Sequence, residues 1–363
     1  MALALGGFKR FEPHEDYGFF GPWSVTWRVW TYPTSLTVGF QRAVVVEELD
    51  PALIAAVDQT GAVRNRSRSR YDRTLRYFAT ISLGDSRSAV TASDVLVKVH
   101  AKGVGIEPLS GKPYDANDPK SQLWIHLTAW HSILYAYERY GPGKLSPEDE
   151  ERYWAECAVA AELQTCDPAD VPRSREGIRE YFETMRPQLV GSDTAQSMMD
   201  YLQNARVMFP PIPFVLRPGA WVINKALRYA TIATLPRWMR KMAGLRQSRI
   251  IDAAIIPVMK ISFAVLHTSS RLELLALPLL SPSTVPVAAP ALLRIPPRVR
   301  ETTTPAQARE RHGFLPPLDE YARFRKLIDQ AAAARSQNGA LQDPGSEPPV
   351  EIDEYEEILG PVG

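Results

Sequence analysis

The chain has 363 residues, 45% of them hydrophobic, and a formal net charge of +1. This is enough apolar material for one large core, or at most two domains, and a charge bias too weak to imply binding of nucleic acid. The charge is unevenly spread. From Ser336 onward seven acids (Asp343, Glu347, Glu351, Asp353, Glu354, Glu356 and Glu357) meet no Lys or Arg, so without that −7 the rest carries +8, a mild bias compatible with an anionic membrane surface.

The N-terminal MALALGGFKRFEPHEDYG begins with a short apolar run that has no basic region before it and no twin-Arg signal, which predicts a cytoplasmic protein that is not secreted. Helix signals dominate the next two hundred residues. Asp50-Pro51, Asp118-Pro119 and Ser146-Pro147-Glu148-Asp149 each set an N-cap residue before a proline at the first helical position. With the apolar periodicity they predict helices over 34–46, 51–59, 65–82, 88–102, 119–140, 147–165, 174–188 and 193–208. GVG at 103–105 follows a helix and is expected to be its C-cap. Cys157 and Cys166 fall in one predicted helix, about 13 Å apart along its axis, too far for a disulfide. Asp149 to Glu151, Glu156 and Glu162 are expected on that helix's solvated face.

A more hydrophobic half follows, with helices predicted over 219–244, 249–275 and 318–335. The stretch from Ile250 to Leu266 is 17 residues long and contains Asp252, Pro257 and Lys260, while Ala220 to Leu235 contains Lys225 and Arg228. Spanning helices need about 20 apolar residues with few charges, so both are expected to be buried or interfacial. FPPIPF at 209–214 and LPRWMRK at 235–241 set apolar and aromatic groups beside cations, the pattern of a surface resting on lipid. Peripheral membrane contact is one expectation for them, and packing against the body is the other. Leu277 to Pro297 is apolar and Pro-rich, which predicts an extended strap. The expected organisation is a domain over 1–300, a helical extension over 301–335 and a disordered acidic tail over 336–363.

Chemistry-bearing residues concentrate between Arg64 and His131. His100 sits on an apolar helix face with Leu96, Val99 and Val104, where a histidine is either a satisfied core residue or a metal ligand. In RNRSRSRYDRTLR, helical geometry puts Arg66, Arg70, Arg73, Thr74 and Tyr77 on one stripe. That stripe either lines a pocket or forms a solvated or phosphate-contacting basic face. His126 and His131 point about 140° apart on a regular helix and cannot share one ion. Each is a core residue or a partner of the pocket, with His126 the better candidate for the pocket. There is no HExxH, paired CxxC, Glu-x-x-His pair, GxGxxG, Walker A or GxSxG, which leaves zinc, di-iron, nucleotide and serine-hydrolase chemistry without a ligand or nucleophile set.

The ordered series GPWSVTWRV, RYDRT, VKVHAKGVG, YDANDPKSQLWIH, YERYGPGKLSPEDEERYWAE and VPRSREGIREYFETMRPQL resembles the haem-dependent oxygenases of the MpaB and latex-clearing-protein (rubber oxygenase) superfamily, over residues 18–245. The resemblance implies an all-α fold, a globin-like helical core with additional helices in a single large domain, holding haem b. It implies His100 as the proximal iron ligand, with Arg70, Arg73 and Thr74 over the distal face. Arg66, Tyr77 and His126 are further expected cofactor contacts. Arg73 stands where the rubber oxygenases have lysine, and a guanidinium has no lone pair for iron. An open or water-filled sixth coordination position is therefore expected. Those enzymes also use a distal carboxylate as base, for which Glu47, Glu48 and Asp58 are the candidates. The implied reaction adds dioxygen across the double bond of a hydrophobic isoprenoid or lipid alkene. The alternatives are haem peroxidase or hydroxylase chemistry, and a non-catalytic lipid-surface scaffold whose arginines bind headgroups.

Overall fold

The computed structural model describes residues 11–59, 67–203 and 213–338. The chain enters α1 (Val25–Trp30), a π turn (Ser35–Gly39) that runs into α2 (Phe40–Glu47), and α3 (Pro51–Gln59). There follow α4 (Ser67–Leu83), α5 (Ser86–His100), strands β1 (Val104–Ile106) and β2 (Pro113–Asp115), α6 (Pro119–Tyr140), α7 (Pro147–Ala161), α8 (Arg175–Met185) and α9 (Asp193–Leu202). The second half contains α10 (Arg217–Thr234), α11 (Arg237–Met242), α12 (Arg249–His267), α13 (Ser270–Leu280), α14 (Val285–Leu292), α15 (Pro305–His312) and α16 (Pro317–Asn338). The expected all-α architecture holds, and the only sheet among the described residues is the β1–β2 hairpin.

The centre of the fold is α6. Asp118 caps it by accepting from the Lys120 and Ser121 N–H groups, Pro119 takes the first helical position, and apolar residues then appear on every side of the helix. A helix that is apolar all round must be enclosed. Accordingly α2, the π turn, α7 and α12 pack around it, and Trp124, Leu127, Trp130, Ile133 and Tyr140 are fully buried. Truncation of Leu127 or Ile133 to Ala is expected to cost about 2–5 kcal/mol, and of Trp124 or Trp130 about 3–5 kcal/mol. Buried hydroxyls are satisfied across the helix contacts: Tyr140 donates to the Ala230 carbonyl at 2.7 Å and Tyr153 to that of Trp130 at 2.9 Å.

Several predicted boundaries are corrected. The 219–244 helix is broken at Leu235, which is extended (φ −83°, ψ 138°) because the following Pro236 disfavours helical backbone before it. The 249–275 helix stops at Thr268, whose hydroxyl takes the Val265 carbonyl at 2.6 Å, and Ser269 recaps α13. The strap over 277–297 is instead largely helical. Pro282 and Pro286 occupy first-turn positions where no intrahelical bond is lost, and burial of Ala288, Ala289 and Ala291 offsets the bond that Pro290 forgoes. GVG at 103–105 is only in part a C-cap: Gly103 N–H closes on the His100 carbonyl at 2.8 Å, while Val104 and Gly105 open β1, where a Cβ on Gly105 would lie 2.8 Å from the Tyr114 hydroxyl. The helix predicted over 147–165 ends at Ala161, so Cys166 lies beyond it, and both cysteines are buried free thiols. Glu156 is not on a solvated face. Its carboxylate accepts from the Val25 and Thr26 N–H groups and from the Thr26 hydroxyl at 2.6–3.2 Å, satisfying the N-terminus of α1. α15 and α16, the expected extension, pack against α5. The expected tail lies outside the described residues except for the end of α16.

Candidate functional site

His100 is the last residue of α5, and its position is fixed by what closes that helix. The carboxamide of Asn117 donates to the Val97 carbonyl at 2.8 Å, Gly103 N–H to that of His100 at 2.8 Å, and Arg325 to that of Ala101 at 3.0 Å. The Gly103 and Arg325 bonds satisfy carbonyls that a helix end otherwise leaves unpaired, and Asn117 adds a second donor to the Val97 carbonyl, which also accepts from Ala101 N–H. The imidazole is half-buried, and its Nδ1 lies 3.1 Å from Gln122 Nε2 on α6. The same amide nitrogen donates to the Ala116 carbonyl at 2.5 Å, so one NH2 group serves two acceptors. Burial first, and then the nearby Arg70 guanidinium, push the His100 pKa down to about 4, so the ring is neutral at physiological pH.

Arg70, on the first turn of α4, also lies within electrostatic reach of Glu47 at the end of α2. Burial pushes the Glu47 carboxyl up to about 7, against the opposing hydrogen bond from Thr128 and the charge of Arg70. The Thr128 hydroxyl donates to Glu47 Oε1 at 3.0 Å. Helices α2, α4, α5 and α6 therefore bring together a carboxyl poised near neutrality, a fixed cation and a neutral imidazole. The β2 carboxylate of Asp115 is a further charge felt by His100. Such clustering of displaced pKa values is characteristic of functional sites.

Other residues of the predicted stripe are placed differently. Thr74 turns its hydroxyl back to the Arg70 carbonyl at 2.9 Å, so its proton is engaged on its own helix and its lone pairs remain as acceptors. Arg73 is exposed. The partly buried Tyr77 ring lies edge-on to Phe78 and close to Gln164 and Cys166. Arg66 lies outside the described residues. His126 is a core residue with both ring nitrogens engaged: Nε2–H donates to the Cys157 carbonyl at 2.8 Å and Nδ1 accepts from Gln164 at 3.2 Å. His131 lies 3.3 Å from Arg42, which donates to Ser132 at 2.6 Å and covers the Tyr135 ring. Burial, Arg42 and Arg175 hold this imidazole neutral. The structure thus joins His100 and Arg70 to Glu47, one of three carboxylates the sequence left open. Gln122 lies within YDANDPKSQLWIH but nothing in that segment singles it out, and Thr128 lies outside the quoted motifs; both are ordinary polar residues on a buried helix.

No group of three or more His, Cys, Asp or Glu side chains able to hold a bare metal ion occurs among the described residues. A cleft of about 490 Å3 lies elsewhere, lined by residues that include Tyr32, Pro142, Lys260, Ile261, Ala264 and His267. It contains nothing from α2, α4 or α5, so its volume says nothing about the His100 cluster.

Neither a curated protein nor a solved structure matches the chain. The catalytic domain described as ER-bound oxygenase mpaB/B'/Rubber oxygenase matches residues 27–261, which contain Glu47, Arg70, His100, Gln122 and Thr128. With well over half of its length inside that match, the chain belongs to the MpaB and rubber oxygenase family of oxygenase catalytic domains.

Proposed function

We propose that the protein is a haem b-dependent oxygenase that cleaves a carbon–carbon double bond of a hydrophobic substrate, an isoprenoid or unsaturated lipid chain. The observation that carries this reading is the convergence of neutral His100, cationic Arg70 and the near-neutral carboxyl of Glu47 inside the matched oxygenase domain. The donor set fits a haem. His100 offers a neutral imidazole, the required form of the ligand, and its Nε2 has no hydrogen-bond partner among the described residues. Ligation through Nε2 calls for the ring proton on Nδ1. A half-turn of the Gln122 carboxamide presents Oε1 to that proton, in exchange for the bond to Ala116.

When bound, haem b supplies the redox centre that activates dioxygen. The chain's own residues do the rest. Arg70 holds a permanent positive charge where negative charge develops on reacting oxygen, and Arg73, one turn along α4, adds a second cation for the haem carboxylates. Glu47 takes up or returns a proton at its carboxyl near pH 7, with Thr128 fixing which oxygen faces its hydroxyl. The overall reaction balances without an added reductant: one alkene and one dioxygen give two carbonyl groups. Peroxidation or hydroxylation is the nearest alternative. Turnover of a polyprenyl substrate under 18O2 separates them, since cleavage puts one labelled oxygen on each of two carbonyl fragments. Products carrying a single labelled hydroxyl on an intact chain would replace cleavage by hydroxylation.

A further inference from the structure

The geometry points to a lipid-docking face built from α10, α12 and α13, on which the protein rests on an anionic bilayer with α12 lying in the plane of the interface. Helix α12 packs along α10 and against α6, and α13 packs against α12. Ile255, Met259 and Phe263 point inward from α12 at helical spacing. The opposite stripe carries Ile250, Val258, Ile261 and Val265, more than half exposed. Outward groups of neighbouring elements match it: Phe214 and Val215 are about 80% exposed before α10, and Trp221, Val222 and Ile223 continue its first turns. Leu275 and Leu279 extend the apolar side over α13. Single exposed apolar residues are ordinary, but a run of this extent across adjacent helices marks an interaction surface.

Charge identifies the occupant. Between residues 213 and 283 the exposed ionisable side chains include Arg217, Arg237, Lys241, Arg246, Arg249, Lys260 and Arg271. The same span has only two acids, and both are turned into the protein: Asp252 pairs with Arg240 and Gln247 at 2.7 Å, and Glu273 with His267 at 2.7 Å. Two cations also sit over aromatic faces, Arg217 on Phe214 at 5.7 Å and Lys225 on Trp221 at 5.9 Å. Apolar and aromatic groups rimmed by cations, with no exposed acid, complement the acyl boundary and negative headgroups of a membrane.

By length and composition α12 would also pass as a spanning helix. Its packing argues for the flat orientation. The Arg240–Asp252 pair ties its first turn to α11, and a membrane-normal α12 would carry Asn224 and Arg228 of the adjoining α10 into hydrocarbon. In the flat orientation the cleft beside Lys260 and Ile261 opens toward lipid. This inference is independent of haem and of the oxygenase reaction.

The test is flotation of the full chain with vesicles of phosphatidylcholine alone and with added phosphatidylserine. Binding is expected to the anionic vesicles, weakened by salt. It should fall by at least about tenfold in the Trp221→Asp/Ile261→Asp double variant, whose substituted side chains are exposed, with circular dichroism confirming the fold. Arg249→Glu/Lys260→Glu, which leaves the apolar groups intact, should remove the preference for anionic lipid. Folded protein that fails to float, or variants that float as the parent does, would overturn the assignment. So would a concentration-dependent dimer abolished by the same variants in the absence of lipid binding, because the face would then belong to a second copy. A spin label at Val258→Cys, selective because Cys157 and Cys166 are buried, should lie about 5–10 Å below the headgroups. A label near the bilayer midplane, about 15 Å deep, would mean that α12 spans.

Discussion

Replacing Glu47 by Gln tests the electrostatics of the candidate site without reference to any cofactor. The carboxyl has an ordinary value of 4.5 when unfolded and about 7 in the fold. A raised acid binds its proton more tightly when folded, so its favourable contribution is complete below pH 4.5 and is lost as pH rises through 7. The gap corresponds to about 3 kcal/mol at 1.36 kcal/mol per pH unit. Glutamine keeps the shape and the acceptor for Thr128 but cannot ionise, so it avoids that loss. Urea unfolding at pH 5 and pH 8 should therefore show Glu47→Gln gaining about 2–3 kcal/mol on the parent between the two conditions. The depressed histidines titrate in both proteins and cancel in the comparison. Equal differences at the two pH values would show that Glu47 titrates as an ordinary surface carboxyl, and its proposed role as base would fall with that result.

Three further outcomes follow from the same geometry. Arg70→Met removes the cation that lowers both neighbours, so the pH midpoint of turnover and the His100 titration followed by NMR in haem-free protein should both move upward; unmoved midpoints would separate Arg70 from the cluster. Gln122→Leu should weaken haem retention about 10–100-fold, while Gln122→Glu should retain haem and lower its reduction potential by strengthening the acceptor at Nδ1. Parental retention and potential in both variants would leave Gln122 with no part in orienting the ring. Glu156→Ala leaves the first N–H groups of α1 without their acceptor and should cost about 1–3 kcal/mol in thermal or urea unfolding; a loss within error of zero would mean that water replaces it fully.

Much of the fold was legible because α6, α7 and α4 declare themselves locally. Asp118-Pro119 and Ser146-Pro147 fix two helix starts to the residue, and the described part of the stripe, from Arg70 to Tyr77, falls on the helix expected for it. What was misplaced depended on events that periodicity does not register. Pro236 breaks one long apolar run and the Thr268-Ser269 pair another, while between Leu277 and Pro297 Pro282 and Pro286 fall in first turns and Pro278 and Pro290 sit inside short helices. Motif order brought His100 and Arg70 forward, but it could not choose among Glu47, Glu48 and Asp58. That choice rests on Thr128 and Arg70, which reach Glu47 only through the packing of α2 on α6 and α4. His126 shows the converse: its place in a motif suggested the pocket, yet the Cys157 carbonyl and Gln164 occupy both nitrogens of its ring.

The proposed oxygenase chemistry requires coordination of iron by the His100 imidazole. Protein expressed with haem supplementation should purify with a Soret band and, by the pyridine haemochrome assay, close to one haem b per chain. His100→Ala, folded by circular dichroism, should lose both, and added imidazole should restore part of the absorbance. Colourless parent protein, or an unchanged haem content and spectrum in His100→Ala, would contradict it.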